Sequence, residues 1–512
     1  MGKTSLLSVF KDYAENTPDA LFAADEGGSV TYGEAFGMVL RAAAFLNGLG
    51  IQRGDRVLVS CTQNRQFLLA AYACQLAGAV FVPLEHNMKQ DRIARILSDT
   101  EAAAGIFPEG GEGTELLAAA GARVVLFNEL FACEGEENGE EAAIFNGDAS
   151  DFRGRLPEKE ETAEILYTTG TTGASKGIEI THANNIALAE NICFGTGMRE
   201  GNVELVPLPL SHSHGLRTCY ANLYRGGAVL ITDGVSKVKM VYDLVANYRA
   251  TALDLSPTAA SVLLRLSRGK FADFSEQLDY IEIGTAALPE ELKSQLIKQF
   301  PGQRLYNFYG STESGRSCVL NFNSGDDRKF CIGFPSKNAR FIITGDDGSE
   351  IDSSAEKTGL LACAGAMNMK GYWKQPALTE EVLRNGILYT KDEGYLDEDG
   401  RVYCLGRKDD VINYRGIKIA PEEIEEKALK FRGVEDCALI GLPDAASGQI
   451  PVLCYKARPG KVEEPAFSKY LAEVIEKEYL PKKLLFVEEI PRTSNGKLRR
   501  GALRELVRSG QA

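Results

Sequence analysis

The chain has 512 residues, of which 44% are hydrophobic and 25% are charged, and its formal net charge is −14 at pH 7. This composition is typical of globular proteins and excludes disorder as the main state. The acidic balance argues against a nucleic-acid-binding protein, which needs a basic face. No apolar run reaches the roughly 18 residues that span a membrane, and the N-terminus lacks the apolar core of a secretory signal. Eleven scattered cysteines without a C-x-x-C pair argue against disulfides or a zinc site and predict a cytoplasmic protein.

Strands and helices alternate along the first two thirds of the chain, which predicts an α/β fold with parallel sheets. Residues 55–61 are predicted to form a buried strand, 66–77 a helix and 79–84 the next strand. The stretch 132–162 is acidic and aperiodic, which is typical of a surface loop. The alternation then resumes, with strands predicted at 164–168, 203–207, 251–255, 279–283 and 304–308.

Most of these later strands are followed by loops that are rich in glycine or in polar side chains. Loops that follow parallel strands lie at the carboxyl edge of the sheet, where ligands bind. We therefore expect four loops to converge on one crevice, namely 169–177, 209–215, 284–288 and 309–314.

The length predicts about two to four domains, or one large core with an appended lobe. Residues 1–406 are predicted to form a large N-terminal domain, within which short strands and turns indicate a β-rich subdomain over 330–405. Residues 407–512 are predicted to form a smaller α+β lobe. This last part contains a slight excess of basic residues. The excess fits a lobe that binds an anion, and ordinary variation of surface charge is the alternative.

The segment YTTGTTGASKG at 167–177 concentrates the residue types that bind phosphate. Glycines expose backbone N–H groups, hydroxyls add donors and Lys176 adds a positive charge, which together suit a polyphosphate. The P-loop pattern does not match, because Ser175 stands where its second glycine is required. A strand-like segment at 177–180 also follows in place of a helix. A structural Gly/Thr turn is the alternative.

This segment resembles the phosphate-binding loop of the adenylate-forming (AMP-binding) acyl-CoA synthetases, a family related to luciferases and peptide-synthetase adenylation domains. The family pattern is Y-T-S-G-T-T-G-x-P-K-G, and here Thr169 replaces the serine and Ser175 the proline. Five more motifs follow in the family's order, so the resemblance covers about residues 10–505. It implies that the N-terminal domain binds ATP and the acid, and that the C-terminal lobe is mobile.

The resemblance assigns nucleotide contacts to several motifs. YGSTES at 309–314 is similar to Y-G-x-T-E, in which the tyrosine stacks on adenine, the threonine contacts the phosphates and the glutamate helps to hold Mg²⁺. Glu313 offers the hard oxygen ligand that Mg²⁺ prefers, although a lone glutamate in a turn is more often solvated. GTAAL at 284–288 resembles the adenine-pocket turn G-G-A-P-L. Asp392 corresponds to the aspartate that binds both ribose hydroxyls, and the alternative for it is an acidic hairpin.

The ATP contacts that the resemblance implies are Thr168, Thr169, Gly170, Thr171, Thr172, Gly173, Lys176, Gly284, Thr285, Ala286, Tyr309, Gly310, Ser311, Thr312, Asp392 and Arg407.

The segment from Gly406 onward resembles the family's hinge and the start of its C-terminal lobe. Asp409 occupies the position about which the lobe rotates. Gly416 would let a pantetheine arm pass close to the backbone, since it has no Cβ. Lys418 stands where a polar or basic residue contacts the phosphate.

PRTSNGKLRR at 491–500 is similar to the pattern P-x-x-x-x-G-K-[IL]-x-R. The resemblance makes Lys497 the adenylation lysine, whose charge would stabilise the negative charge that builds on the transferring group. A lysine in a basic run is otherwise a solvated surface residue. The catalytic residues implied by the resemblance are Lys497, Glu313, Thr312 and His212.

The implied reaction is ATP-dependent ligation of a carboxylic acid to CoA, through acyl-AMP and pyrophosphate, with Mg²⁺ as cofactor. One alternative is a free-standing ligase that loads a carrier protein, and another is a binding protein that has lost catalysis. His212 stands where amino-acid-activating relatives have an aspartate for the α-ammonium, so the expected acid lacks an α-amino group. His214 is expected either to support the residues that contact the substrate or to be structural. We expect a medium or long fatty acid or an aromatic acid.

Overall fold

The computed structural model describes most of the chain, with the side chains of Asn413 and Lys418 left out. The chain divides into two compact units, which are Met1–Thr168, Ser175–Phe341 and Cys363–Leu388, and Thr169–Ala174, Ile342–Ala362 and Tyr389–Ala512. The predicted domains 1–406 and 407–512 and the subdomain 330–405 stay predictions. The described ranges are 3–86, 88–132, 156–168, 176–285, 288–325, 327–345, 347–414, 417–444, 448–458, 460–477, 479–492 and 498–510.

Helices occur in both units. They are α1 (Leu6–Asn16), α2 (Tyr32–Gly48), α3 (Arg65–Leu76), α4 (Gln90–Thr100), α5 (Thr114–Ala119), α6 (Phe127–Leu130), α7 (His182–Thr196), α8 (Ser213–Tyr224), α9 (Val238–Asn247), α10 (Pro257–Ser267), α11 (Glu290–Gln299), α12 (Pro376–Val382), α13 (Pro421–Leu429), α14 (Glu464–Val474) and α15 (Arg500–Arg508), with a 3-10 helix at Lys270–Phe274.

The strands build several sheets. They are β1 (Leu21–Asp25), β2 (Gly28–Thr31), β3 (Arg56–Ser60), β4 (Val80–Leu84), β5 (Ala104–Phe107), β6 (Arg123–Leu126), β7 (Thr162–Thr168), β8 (Lys176–Thr181), β9 (Val203–Val206), β10 (Ala228–Ile231), β11 (Ala252–Leu255), β12 (Tyr280–Ile283), β13 (Arg304–Ser311), β14 (Gly315–Asn321), β15 (Cys331–Pro335), β16 (Ala339–Thr344), β17 (Gly359–Gly365), β18 (Gly371–Tyr372), β19 (Leu383–Arg384), β20 (Ile387–Leu396), β21 (Val402–Arg407), β22 (Ile412–Tyr414), β23 (Ile417–Ile419), β24 (Val434–Asp444), β25 (Gly448–Ala457) and β26 (Lys483–Phe486).

The first unit contains two sheets, and the α/β fold predicted from the alternation is confirmed. One sheet has the strand order β15-β14-β13-β12-β11-β9-β10-β1-β2, and its central strands from β13 to β1 run parallel. The other has the order β18-β8-β7-β4-β3-β5-β6. Helices α1, α2, α3 and α8 contribute buried apolar residues to one large hydrophobic core with both sheets. In it the Phe10 ring stacks on Phe22, with centroids 4.5 Å apart.

The four expected loops do not all follow strands of one sheet. Strand β7, which precedes 169–177, lies in the second sheet and pairs antiparallel with β8. Residues 169–175 lie outside the described ranges, so their convergence with the other loops stays a prediction. Strand β13 also runs on to Ser311, beyond the predicted end at residue 308.

Local sequence signals account for several helix starts. Serine is a typical cap residue and proline a typical first-turn residue, and the Ser256 hydroxyl, just before Pro257, accepts from the Ala259 N–H at 3.1 Å and caps α10. Thr181 caps α7 in the same way. Asn184 completes this capping box, because its side-chain oxygen accepts from the Thr181 N–H at 2.9 Å. Each cap satisfies backbone donors that the helix itself cannot pair.

The second unit contains one sheet with the order β16-β17-β20-β21 and another with the order β23-β22-β25-β24, beside which β26 pairs with β25. Helices α13 and α14 cover the second of these with an apolar cluster that includes Ile424 and Phe467. In neither unit does a helix of the described residues combine the length and the apolar character needed to cross a bilayer.

Candidate functional site

The carboxyl ends of four parallel strands meet at one edge of the first sheet. Strands β9, β11, β12 and β13 are neighbours in this sheet. His212 comes six residues after β9, Gly284 and Thr285 follow β12, and Ser311 ends β13. The predicted convergence of these three loops is therefore confirmed, and they lie where α/β sheets bind ligands.

The turn after β12 needs a glycine at its first position. A Cβ on Gly284 would lie 2.0 Å from Cζ of Phe308, whose ring covers the strand end. Thr285 then adopts a φ of 77°, in the left-handed region that a β-branched residue rarely occupies. Such strained backbone clusters at functional sites, because it persists only where the surroundings hold it.

The loop after β13 is closed by serine hydroxyls. Ser311 Oγ accepts from the backbone N–H groups of Glu313 and Ser314 at 3.2 and 3.1 Å. The Ser311 N–H in turn donates to Ser314 Oγ at 3.1 Å. These bonds satisfy the donors of a tight turn and fix the backbone from which the side chains of Thr312 and Glu313 extend.

Two side chains of α8 contact the same loop. Arg217 donates from its two terminal nitrogens to the carbonyl oxygens of Ser311 and Thr312, at 3.2 and 2.7 Å. The hydroxyls of Ser213 and Thr312 lie 3.1 Å apart. The loop is thus fixed by its neighbouring helix as well as by its own turn.

Strand β18 brings the lysine of the phosphate-binding segment near to Glu313. It pairs with β8, which begins at Lys176. The Tyr372 hydroxyl donates to Glu313 Oε1 at 3.0 Å, and Lys176 Nζ lies 5.3 Å from the centre of the Tyr372 ring. Two of the residues predicted to bind the phosphates and the metal are therefore linked through one tyrosine.

His212 lies at the N-terminus of α8 beside a charged pair. Its Nε2 is 3.9 Å from Glu85 Oε1, and the other oxygen of Glu85 accepts from Arg92 at 2.8 Å. Gln63 holds the preceding segment, because its side chain donates to the Leu208 carbonyl at 2.8 Å and accepts from the Leu210 N–H at 2.9 Å. The histidine is thus presented from a fixed backbone.

A fully buried polar network lies behind this edge. Glu204, Asp254 and Glu282 stand on the neighbouring strands β9, β11 and β12. Asp254 accepts from Arg316 at 3.2 Å, and Glu282 forms an ion pair with the same guanidinium. His214 Nε2 lies 2.6 Å from Asp254 Oδ1, so this histidine belongs to the buried network, and its expected supporting role stays a prediction.

Burial, together with the nearby charges of Asp254 and Glu282, raises the pKa of Glu204 to about 8. The folded protein thus keeps a proton that the unfolded chain, with an ordinary glutamate pKa, has lost above about pH 4.5. The free energy of unfolding should therefore fall as the pH rises from about 4.5 to about 8. Glu204 Oε2 accepts from Asn222 at 2.7 Å and from Tyr280 at 3.0 Å, bonds that a glutamine oxygen can also accept.

Between about pH 6 and pH 9, we expect the melting temperature of Glu204→Gln to fall less than that of the unchanged protein. The glutamine has no proton to release over this range. Thermal unfolding followed by circular dichroism across this range measures the effect. Glu291→Gln, which removes an exposed carboxyl on α11, is the matched control and should keep the original pH slope. Equal slopes for the two variants would contradict the assignment.

The second unit pairs Asp392, which is predicted to bind the ribose hydroxyls, with Arg407, which is predicted to contact the ribose or the phosphate. Asp392 and Arg407 are register partners on β20 and β21, with Arg407 Nε 3.6 Å from Asp392 Oδ1. Thr390 Oγ1 accepts from the Asp392 N–H at 3.1 Å. The carbonyl of Asp409, the predicted hinge, accepts from Arg504 on α15.

Some predicted site residues lie outside the described ranges, and their roles stay predictions. These are Thr169, Gly170, Thr171, Thr172, Gly173, Ala286, Gly416 and Lys497, together with the side chain of Lys418. Sequence reasoning in turn missed Gln63, Arg217 and Tyr372. Arg217 follows the predicted loop 209–215 closely, which is a signal that could have pointed to it, whereas no motif predicted from the sequence lies next to Gln63.

Comparisons with known proteins show the family to which the chain belongs. The family model described as AMP-binding enzyme matches residues 10–373, and the model for the AMP-binding enzyme C-terminal domain matches residues 423–497. Feruloyl-CoA synthase of Amycolatopsis sp is 28% identical over 495 residues, which are 96% of each chain. The 2-succinylbenzoate–CoA ligase of Bacillus cereus (strain AH820) is 28% identical over 501 residues, which are 97% of this chain and 98% of the ligase.

Among solved structures, ATP-bound MatB from Rhodopseudomonas palustris is 25% identical to this chain. It has a TM-score of 0.82 and covers 99% of this chain and 100% of its own. Since the first family model alone spans well over half of the sequence, the chain belongs to the AMP-binding enzyme family.

Proposed function

We propose that this protein is an AMP-forming acid:CoA ligase, which converts a carboxylic acid, ATP and CoA into acyl-CoA, AMP and pyrophosphate. The observation on which the proposal mainly rests is the approach of Lys176 to Glu313 through Tyr372, at the edge where the loops of the first sheet meet. Phosphate-binding and metal-binding side chains are needed together for nucleotidyl transfer. The two curated relatives, a CoA synthase and a CoA ligase, support the choice of CoA as acceptor.

In the first half-reaction, a carboxylate oxygen attacks the α-phosphorus of ATP and the bond to pyrophosphate breaks. Catalysis of this kind depends on positioning and on charge stabilisation. Lys176 and Thr312 orient the phosphates, and Lys497 opposes the negative charge that builds on the transferring group. No nucleophilic side chain takes part.

Glu313 suits Mg²⁺ bound to ATP. Its carboxylate is half-buried, and the Tyr372 hydroxyl fixes one of its oxygens at 3.0 Å. Mg²⁺ is commonly held by one or two carboxylates together with the phosphates of its nucleotide, so one glutamate is sufficient from the protein. When bound, Mg²⁺ would offset the charge of the phosphates.

In the second half-reaction, the thiol of CoA attacks the acyl carbon and displaces AMP. We propose that the C-terminal lobe turns about Asp409 between the two steps, so that Gly416 and Lys418 face CoA. The contact between the Asp409 carbonyl and Arg504 would then change as the lobe turns, because a hinge residue must alter its backbone angles.

The test of the function is a pair of assays on the same preparation. Acid-dependent ATP–pyrophosphate exchange measures the first half-reaction, and acid-dependent loss of the CoA thiol measures the second. Exchange without CoA consumption would instead support a ligase that loads a carrier protein. Absence of exchange with every acid would support the catalytically inactive alternative.

The acid is proposed to be an aromatic acid or a medium or long fatty acid without an α-amino group. Glu85, the carboxylate near His212, is compensated by Arg92 at 2.8 Å and so offers little to a substrate ammonium. Burying an ammonium without a counter-charge costs several kcal/mol. The relatives named for ferulate and succinylbenzoate are consistent with an aromatic acid.

We expect a panel of acids in pyrophosphate exchange to favour cinnamic, benzoic and longer fatty acids over acetate and free amino acids. The variant Glu85→Gln is the matched control. It should leave this order unchanged, since the carboxylate of Glu85 is assigned to Arg92 and not to the substrate. Preferred turnover of an amino acid that Glu85→Gln abolishes would contradict the proposal.

A further inference from the structure

Arg217 is a buried cation that donates hydrogen bonds to main-chain oxygens of the loop 309–314, called the nucleotide loop below. The residue is 3% exposed, and its Nη1 and Nη2 donate to two consecutive carbonyls, those of Ser311 and Thr312. A planar guanidinium that spans two adjacent carbonyls fixes the orientation of the two peptide groups to which they belong, here those that join Ser311 to Thr312 and Thr312 to Glu313. Thr312 and Glu313 are the proposed phosphate and metal contacts.

The same helix face contacts the loop a second time. Ser213 lies four residues before Arg217, a spacing that places both side chains on one face of α8. Its hydroxyl is 3.1 Å from that of Thr312. The helix therefore holds the backbone of the loop through Arg217 and the side chain of Thr312 through Ser213.

The guanidinium is held as a charge although it is removed from water. Burial lowers the pKa of Arg217 to about 10, an effect that the carboxylates of Glu164 and Glu313 oppose. Arg217 thus stays protonated at neutral pH. Hydrogen bonds from a charged donor are roughly twice as strong as neutral ones, and more so away from water.

We propose that Arg217 is a positioning residue for adenylation, which fixes the two peptide groups on either side of Thr312 so that Thr312 and Glu313 face the phosphates and Mg²⁺ of ATP. Tyr372 fixes the side chain of Glu313 as well, because its hydroxyl donates to Glu313 Oε1 at 3.0 Å. The inference rests on the proposed function, because it takes Thr312 and Glu313 as ligands of Mg·ATP.

Arg217→Met removes both hydrogen bonds to the carbonyls. Arg217→Lys keeps the positive charge but has a single nitrogen in place of the two terminal guanidinium nitrogens. A displacement of about 1 Å at a reacting group costs about 10²-fold in rate. We therefore expect pyrophosphate exchange to fall about 100-fold in Arg217→Met and about 10-fold in Arg217→Lys, with more Mg²⁺ needed for half-maximal exchange. Thioester formation from supplied acyl-adenylate, which needs neither pyrophosphate nor Mg²⁺, should change by less than about threefold.

Tyr220→Phe is the matched control on the same helix. Tyr220 is fully buried and donates to Glu164 at 2.6 Å, but it has no hydrogen bond to the nucleotide loop among the described residues. It should lower thermal stability without altering the Mg²⁺ requirement. Ser213→Ala, which leaves every buried charge in place, should raise the Mg²⁺ requirement in the same direction as the Arg217 variants. An unchanged requirement in both Arg217 variants, or an equal change in Tyr220→Phe, would overturn the inference.

A binding measurement separates this inference from the proposed function. The rise in melting temperature caused by ATP is measured with and without Mg²⁺, in the absence of any acid. The Mg²⁺-dependent part of the rise should be smaller in Arg217→Lys than in the unchanged protein, whether or not an acid substrate is found. An equal rise in both proteins would overturn the role of Arg217, whereas absence of exchange in the unchanged protein would overturn the function alone.

Discussion

Lys497→Ala is expected to reduce acid-dependent ATP–pyrophosphate exchange by about 10²–10³-fold, the usual effect of removing one charged contact to a transition state. The lysine is proposed to act where negative charge builds during attack on the α-phosphorus. Displacement of AMP by a thiol does not build this charge, so thioester formation from supplied acyl-adenylate should largely survive. The two half-reactions, assayed separately, measure this difference.

The neighbourhood of Lys497 offers a matched control. Arg499 is an exposed cation two residues further along, at the variable position of the motif, and Arg499→Ala should leave both half-reactions intact. On either side of 493–497, Arg492 pairs antiparallel with Leu498, and Arg492 is 2.7 Å from Asp436. Equal loss of both half-reactions in Lys497→Ala would contradict its assignment.

Local signals in the sequence predicted many individual elements of the fold. Apolar runs located β3, β4, β9, β11 and β12, and Ser256 with Pro257 located the start of α10. These elements depend on neighbouring residues, either through hydrophobic periodicity or through a cap that bonds three residues away. Strand order along the chain also predicted that the loops near His212, Gly284 and Ser311 would meet.

Pairing between distant strands could not be predicted in this way. In the pairing of β4 with β7, Phe81 lies opposite Glu164, more than eighty residues away in the sequence. Neither strand contains a signal that identifies the other as its neighbour. The assignment of β7 to the sheet of β9 therefore failed. Periodicity indicates which face of a strand is buried but not which neighbour covers it.

The residues that support the candidate site were missed for the same reason. Arg217 and Tyr372 act on the Glu313 loop from about 95 positions before it and 59 after it, so their roles appear only in the folded chain. One signal was available for the buried network. Strands β9, β11 and β12 each have an acid among apolar residues, and an acid in a buried strand needs a partner.

For Asp254 and Glu282 that partner is Arg316, and its removal is expected to destabilise the fold strongly. Its guanidinium, 3% exposed, donates to Thr218 at 2.6 Å and to Asp254 at 3.2 Å, and forms an ion pair with Glu282. Arg316→Met leaves these carboxylates buried without their cation, a change that typically costs about 3–5 kcal/mol. Urea unfolding at pH 8 should show a loss of this size in the free energy of unfolding.

The double variant Arg316→Met with Glu282→Gln tests whether charge is the cause. It replaces the Arg316–Glu282 pair by neutral groups and leaves Asp254 as the one carboxylate that has lost Arg316, so it should recover part of the loss, because removing both members of a buried pair is often nearly neutral. Lowering the pH should also reduce the destabilisation caused by Arg316→Met. Carboxylates deprived of Arg316 take up protons more readily in the folded state, so the destabilisation caused by Arg316→Met should shrink between about pH 8 and pH 5.5. A loss that neither the second substitution nor acid reduces would show that Arg316 stabilises the fold by packing over the Phe308 ring, 4.1 Å away, and not by its charge.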